Sequence, residues 1–186
     1  MSVEISLKGK NAVVTGGAGG MGRTTSMLLA EAGANVLVAD MDEAAAAKTA
    51  ADIAEKYGVK TASCKCNVTV KADVDAMVEV ALHTFGRIDI LMNNAGAAIT
   101  KKAEDLTMEE WDRVVNVDLR GAFMVAQAVG KVMIRQNYGR IINTISVYGY
   151  VGGKLVLPYL AAKGGLAQVT KGLAMEWARY NINVNA

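Results

Sequence analysis

Residues 158–165 read PYLAAKGG, which sets Tyr159 and Lys163 four positions apart. On a helix, residues i and i+4 lie one above the other on the same face, so a phenol and an ammonium so placed can touch. Two readings stand at this point. In the plainer one the pair lies on the surface, each side chain resting its apolar body on the protein with its polar tip in water. In the other, the cation acidifies the phenol. A free tyrosine, with a pKa of about 10, is a poor base at neutral pH. One ammonium about 4 Å away, at an effective dielectric of about 20, offers the phenolate roughly 4 kcal/mol, enough to make it a base near neutral pH. Choosing between the two requires the elements that hold the pair and something for it to act on.

Short apolar runs alternate with helix-length stretches along the chain. Asn11–Thr15, Asn35–Ala39, Val59–Cys64, Ile88–Met92, Arg140–Thr144 and Ile182–Asn185 read as strands, several of them near-continuous in Val, Ile and Leu. That pattern belongs to strands covered on both faces. Met21–Ala32, Asp42–Tyr57, Val70–Phe85, Met108–Gln136 and Pro158–Tyr180 read as helices. Gly33 and Gly58 follow the first two, Thr107–Glu110 (TMEE) spells a capping box, and Pro158 stands in a first turn. Trp111 and Trp177 are expected to pack inside helices. Strand–helix alternation predicts an α/β, Rossmann-type doubly wound parallel sheet with helices on both faces, residues 1–186 forming a single domain.

The first strand runs into TGGAGGMG, Thr15–Gly22, and then into a helix. Glycines there allow a tight turn and let backbone N–H groups approach a pyrophosphate at the helix N-terminus. The context fits a dinucleotide fingerprint: strand before, helix after, and an acid about 20 residues on. That acid is Asp40, ending NVLVAD. A carboxylate there accepts hydrogen bonds from the adenosine ribose hydroxyls and repels a 2′-phosphate, and neither residues 17–19 nor Met41 supplies a compensating cation. NAD is therefore expected rather than NADP. The plainer reading of Asp40 is a solvated helix cap.

The spacing TGxxxGxG, carried by Gly16, Gly20 and Gly22, resembles the short-chain dehydrogenase/reductase family, and later motifs follow in the family's order. NNAG at Asn93–Gly96 is similar to its sheet-stabilising turn beside the cofactor, Asn116 in VVNVDL to its helix asparagine, and Ser146, Tyr159 and Lys163 to its Ser–Tyr–Lys set. The resemblance covers the chain from about Gly9 to Ala186. It implies a cofactor site from Gly16, Gly19, Gly20, Met21, Gly22, Asp40, Met41, Asn67, Val68, Asn94, Ala95, Gly96, Tyr159 and Lys163. It also implies hydride transfer between a nicotinamide and a secondary alcohol or ketone. The cofactor does the hydride chemistry, so the protein supplies proton transfer and orientation. Tyr159 would be the acid/base, Lys163 its tuner and a ligand of the nicotinamide ribose, and Asn116 part of a proton relay. Ser146 would hold the substrate oxygen; read alone, it is a loop hydroxyl capping backbone. Asn67 stands where the family often has Asp, and its side-chain oxygen is expected to accept from adenine. Tyr148 and Tyr150 would shape the pocket or simply pack.

Sugar, polyol or sugar-acid substrates of the gluconate 5-dehydrogenase kind fit this pattern, with 3-oxoacyl carrier-protein reduction as the alternative. A non-catalytic NAD-binding sensor or scaffold is the rival of another class, one with no use for Ser146, Tyr159 and Lys163. The resemblance further implies a homodimer or homotetramer, and a substrate loop and last strand beyond NINVNA, so the sequence reads as C-terminally truncated.

Composition excludes little else. The chain has 186 residues, 52% hydrophobic, with 20 basic and 18 acidic side chains giving a net charge of +2. Such balance gives no electrostatic reason to propose nucleic acid or an anionic membrane. No apolar run approaches membrane-spanning length, and MSVEISLKGK lacks a secretory core. Cys64 and Cys66 are not expected to bridge, and with His83 the only histidine they make no metal site. Reduced thiols suit a cytoplasmic location.

Overall fold

The computed structural model describes residues 6–186; the start of the N-terminal stretch read above for a leader lies outside them. Six strands, β1 (Asn11–Thr15), β2 (Asn35–Asp40), β3 (Thr61–Lys65), β4 (Ile90–Asn93), β5 (Gly139–Asn143) and β6 (Ile182–Asn185), form one sheet. All pair in parallel, in the order β3-β2-β1-β4-β5-β6. The order reverses between β1 and β4. A doubly wound sheet opens a crevice there, beyond the carboxyl ends of its strands.

The helices are α1 (Gly20–Glu31), α2 (Glu43–Tyr57), α3 (Lys71–Phe85), α4 (Met108–Val115), α5 (Ala122–Gln136) and α6 (Leu157–Trp177). Successive strand residues point to opposite faces, and the core divides accordingly. Val14, Val36 and Val38 pack with Ala30, Ala46 and Ile53 of α1 and α2. Val13, Leu37, Leu91 and Ile141 pack with Met77, Val125 and Val129 of α3 and α5, joined by Trp177 of α6. A side chain at Gly130 would run into the Trp177 ring at 2.5 Å, so glycine in α5 is what admits the indole.

Sequence signals fix several helix ends. Asp42 caps α2 by accepting from Ala45 N, and Gly58 closes it at φ +67°. Thr107 and Glu110 form the reciprocal capping box of α4. Pro158 sits in the first turn of α6. The strands begin or end within two residues of their predicted limits. One prediction needs correction: Met108–Gln136 is not a uniform α-helix. Between α4 and α5 lies a π-helical turn, Asn116–Gly121. A Cβ on Gly121 would lie 3.0 Å from Val68 O, so the turn sits close against the loop after β3. Turns of this kind recur at functional sites.

Cys64 and Cys66 are free. Burial pushes both thiols up, to about 11 and about 12, with the Asp73 carboxylate adding to the effect. Among the described residues no helix is long and apolar enough to cross a membrane, and no group of His, Cys, Asp and Glu could hold a metal ion.

Candidate active site

The site begins where β1 stops. Gly16 takes φ +60°, and a Cβ there would lie 3.0 Å from Ala95 Cα. At Gly22, in the first turn of α1, a Cβ would lie 1.9 Å from Gly16 O. The turn therefore packs backbone to backbone against both α1 and the segment after β4. Gly19 opens α1 with no side-chain cap. The first N–H groups of a helix have no intrahelical partner, so this end can receive an anion.

Asp40, half-buried at the tip of β2, accepts from Ala18 N at 3.0 Å and from Asp42 N at 3.1 Å. It thus holds the glycine turn while lining the cleft, and it does not cap α2, a task left to Asp42.

Beyond β4, NNAG ties the sheet's carboxyl ends together. Asn94 donates through Nδ2 to Thr15 O and Gly16 O, and the Asn94 and Ala95 amides donate to Thr15 Oγ1 at 3.0 and 3.2 Å. Thr15, Asn93 and Asn143 stand in register on neighbouring strands. Asn93 Nδ2 donates to Asn143 Oδ1 at 3.0 Å and to Ala122 O, and Asn143 donates to Thr170 of α6 at 2.9 Å. Each of these side chains is buried, so the chain of bonds fixes α6 against the sheet.

That anchoring sets the pair on α6. Lys163 is only 3% exposed and its Nζ donates to Thr144 O at 2.8 Å. The surface reading of the pair therefore fails for the lysine. Nζ lies 5.4 Å from the centre of the Tyr159 ring, and both residues line one cleft. Lys163 has a second partner that sequence reasoning missed. Asp118 Oδ1 lies 2.8 Å from Nζ, and Asp118 is fully buried. Its Oδ2 accepts from Ala97 N at 2.7 Å.

VVNVDL thus reaches the cleft through Asp118, whereas Asn116 opens the π turn and lies outside the lining. Helical phase explains it. Val114, Asp118, Ala122 and Val125 fall three or four residues apart on the buried face, and Asn116 is about 200° from Val114. A charged residue on an apolar stripe was the available signal. Gly96 makes room for it, since a Cβ there would meet Asp118 Oδ1 at 2.9 Å.

Two further candidate residues hold local partners. Ser146 Oγ accepts from Tyr148 N at 3.2 Å, capping the short 3-10 turn Val147–Gly149, and Ser146 lies outside the lining. Its plainer reading is the one seen here. Asn67 lines the cleft, but its Oδ1 accepts from both Thr69 N and Thr69 Oγ1. With two donors on that oxygen, acceptance from adenine is not supported. Tyr148 and Tyr150 are exposed and outside the lining.

The cleft has a volume of about 490 Å3. Of the predicted cofactor residues, Gly16, Gly19, Met21, Asp40, Met41, Asn67, Val68, Asn94, Ala95, Gly96, Tyr159 and Lys163 line it. Gly20 and Gly22 lie just behind, shaping the turn. Cys66, Ala97, Ala98, Val117, Asp118 and Thr144 complete the wall. A glycine cradle, an uncapped helix end, a carboxylate at one extremity and an ammonium at the other suit an elongated ligand with an anionic middle.

Residues 10–186 match the sequence profile described as short chain dehydrogenase. The chain belongs to the short-chain dehydrogenase family. An NAD-dependent glycerol dehydrogenase of Listeria innocua is 36% identical over 184 residues, covering 98% of this chain and 70% of the relative. A 5-keto-D-gluconate 5-reductase of Escherichia coli K12 is 35% identical over 180 residues, 97% of this chain and 70% of the relative. The solved structure of an NAD+-bound xylitol dehydrogenase superposes with a TM-score of 0.93 at 38% identity, covering 96% of this chain and 70% of that one. The short-chain dehydrogenases are oxidoreductases of CH–OH and carbonyl groups that use a nicotinamide cofactor, and the cleft's glycine cradle fits such a dinucleotide.

Proposed function

We propose that residues 1–186 act as one dinucleotide-binding and catalytic domain that exchanges a hydride between NAD and a secondary alcohol or ketone. The observation that carries this is one cleft, lined from Asp40 past Gly16 and Gly19 to Tyr159 and Lys163. The bound nicotinamide supplies the hydride chemistry. Tyr159 exchanges the proton at the substrate oxygen, and Lys163 holds the phenol's surroundings and the adjoining ribose. Ser146 Oγ accepts from Tyr148 N and keeps its own O–H donor, so it is proposed as an orienting hydroxyl of the bound complex. Asn116 acts at most through the π turn it opens.

NAD is favoured because Asp40 lines the adenosine end with no Arg or Lys beside it among the lining residues. A 2′-phosphate there would face an uncompensated carboxylate. The same charge disfavours the alternative, 3-oxoacyl carrier-protein reduction, insofar as that reaction draws on the phosphorylated cofactor. A polyol, sugar or sugar-acid substrate is supported by the names of the glycerol, xylitol and ketogluconate relatives. A cytoplasmic homodimer or homotetramer, paired through α4–α5 and α6, is consistent with exposed apolar residues on those helices: Met108, Phe123 and Met175.

A panel of polyols, sugar acids and ketones with NAD and NADP, followed by absorbance of the reduced nicotinamide, tests the proposal. Turnover with NAD on one of these classes is expected. Binding of NADH without turnover on any of them would favour a sensor or scaffold instead.

A further inference from the structure

We infer that Met21 and Met41 are oxidation sites of the dinucleotide cleft: a peroxide converts their thioethers to sulfoxides, and the cleft then holds its cofactor less tightly until they are reduced. The inference rests on the reading of this cleft as the NAD site. Its basis is where the methionines lie. Among the described residues Met77 and Met133 are buried in the core, and Met27, Met92 and Met124 are half-buried. Met21, Met41, Met108 and Met175 are exposed, and two of these, Met21 at 67% and Met41 at 62%, line the cleft.

Each stands at an edge that a bound dinucleotide covers. Met21 is the second residue of α1, directly after the glycine turn, at a helix end whose first N–H groups have no intrahelical partner. Met41 follows Asp40 at the tip of β2 and precedes Asp42, the cap of α2. A thioether at either place offers a ligand an apolar, adaptable surface. Its oxidation moves one oxygen from the peroxide to sulfur. The O–O bond breaks, an S=O bond forms, sulfur gives up two electrons and water leaves. The product is polar, and its oxygen carries partial negative charge. At Met21 that oxygen is an acceptor competing with an anion for the free N–H groups of α1. At Met41 it adds a second negative oxygen next to the Asp40 carboxylate and takes away apolar lining.

The thiols do not compete for the oxidant. Cys66 lines the same cleft but is only 3% exposed, and burial pushes its thiol up to about 12 and that of Cys64 to about 11. Neither presents a thiolate at neutral pH, and the thiolate is the form a peroxide attacks. A thioether has no proton to lose, so access decides its rate.

The test is hydrogen peroxide treatment of the whole protein, with and without saturating NAD, followed by peptide mass mapping. Met21 and Met41 should each gain one oxygen at least about tenfold faster than Met77 and Met133. NAD should slow both by about threefold or more and leave the rates at Met108 and Met175 unchanged. NADH affinity, read by fluorescence before and after treatment, should fall about tenfold and return on incubation with methionine sulfoxide reductases A and B. In Met21→Leu/Met41→Leu the same treatment should leave that variant's own NADH affinity where it was. Full affinity with both sulfoxides in place would overturn the inference, as would oxidation at Met21 and Met41 no faster than at Met77. So would an equal loss of affinity in the double variant, or a loss that persists once both sulfoxides are reduced. Untreated protein that binds no NADH would instead remove the reading of the cleft, and the inference with it.

Discussion

Among the described residues two carboxylates are wholly buried, at opposite ends of the same sheet, and they are built differently. Asp89 lies just before β4, at the amino ends of the strands. Its Oδ2 accepts from Asn11 N at 3.0 Å, and its Oδ1 accepts from Arg87 Nε at 2.9 Å with the second guanidinium nitrogen at 2.7 Å. Asp118 lies beyond the carboxyl ends, with one oxygen satisfied by Ala97 N and the other facing an ammonium it does not hydrogen-bond. Asp89 ties chain segments together and leaves nothing over. Asp118 sits on the cleft wall with Oδ1 against the Lys163 ammonium. The contrast separates a carboxylate engaged wholly within the framework from one that lines the cleft, though both are equally buried. It also follows the general rule that open α/β sheets place ligands beyond the carboxyl ends of their strands.

The comparison can be broken most severely at the glycine turn. Gly22→Ala places a methyl carbon 1.9 Å from Gly16 O, so the turn must open. NADH affinity measured by fluorescence should fall by about a hundredfold or more, a loss of order 3 kcal/mol. At the other end, Asp89→Ala should lower stability by about 2–3 kcal/mol, because Asn11 N loses a buried acceptor while half-exposed Arg87 can rehydrate. Denaturant unfolding reads that loss, and kcat of the folded fraction should not change. A large drop in kcat would mean that the amino end is not merely structural.

A milder change sharpens the carboxyl end's part in cofactor choice. Asp40→Asn removes the charge and keeps an acceptor for only one of Ala18 N and Asp42 N, since each donates to a different carboxylate oxygen. The preference for NAD over NADP in kcat/KM should shrink about tenfold, the equivalent of about 1.4 kcal/mol. The smallest effect is expected at the cysteines. With the Cys66 thiol pushed up to about 12 and Cys64 to about 11, both stay protonated at pH 8. Iodoacetamide should label the folded protein at roughly a tenth or less of the rate of the urea-unfolded chain, as counted by mass spectrometry.

How much of this the sequence disclosed depends on which force decides each feature. Strands such as NAVVT and NVLVAD were readable because burial on both faces leaves a continuous apolar run. Both ends of α2 and the start of α4 were readable because caps are local chemistry. The glycine turn and Asp40 carried fixed spacing. The π turn was not readable, since VVNVDLRG has ordinary helical composition and the bulge is set by packing against Val68 and α6. Asp118 is legible from its phase on the buried stripe through Val114, Ala122 and Val125, whereas motif resemblance points to Asn116. Ser146 and Asn67 show the limit of motif reading, because spacing cannot reveal that a side chain is already engaged by Tyr148 or Thr69. The network through Asn143 and Thr170 joins residues 27 apart in sequence and became visible only in three dimensions.

The central proposition is that the Tyr159 hydroxyl exchanges the proton while the cleft holds a nicotinamide beside it. Tyr159→Phe deletes that hydroxyl and leaves the buried Lys163, the glycine turn and Asp40 in place. Measured side by side with the parent, it should fold, bind NADH within about threefold, and turn over at less than about a thousandth of the parent rate, near the effect of losing general acid–base catalysis. A variant that binds NADH normally and keeps a tenth of the parent activity would contradict the account.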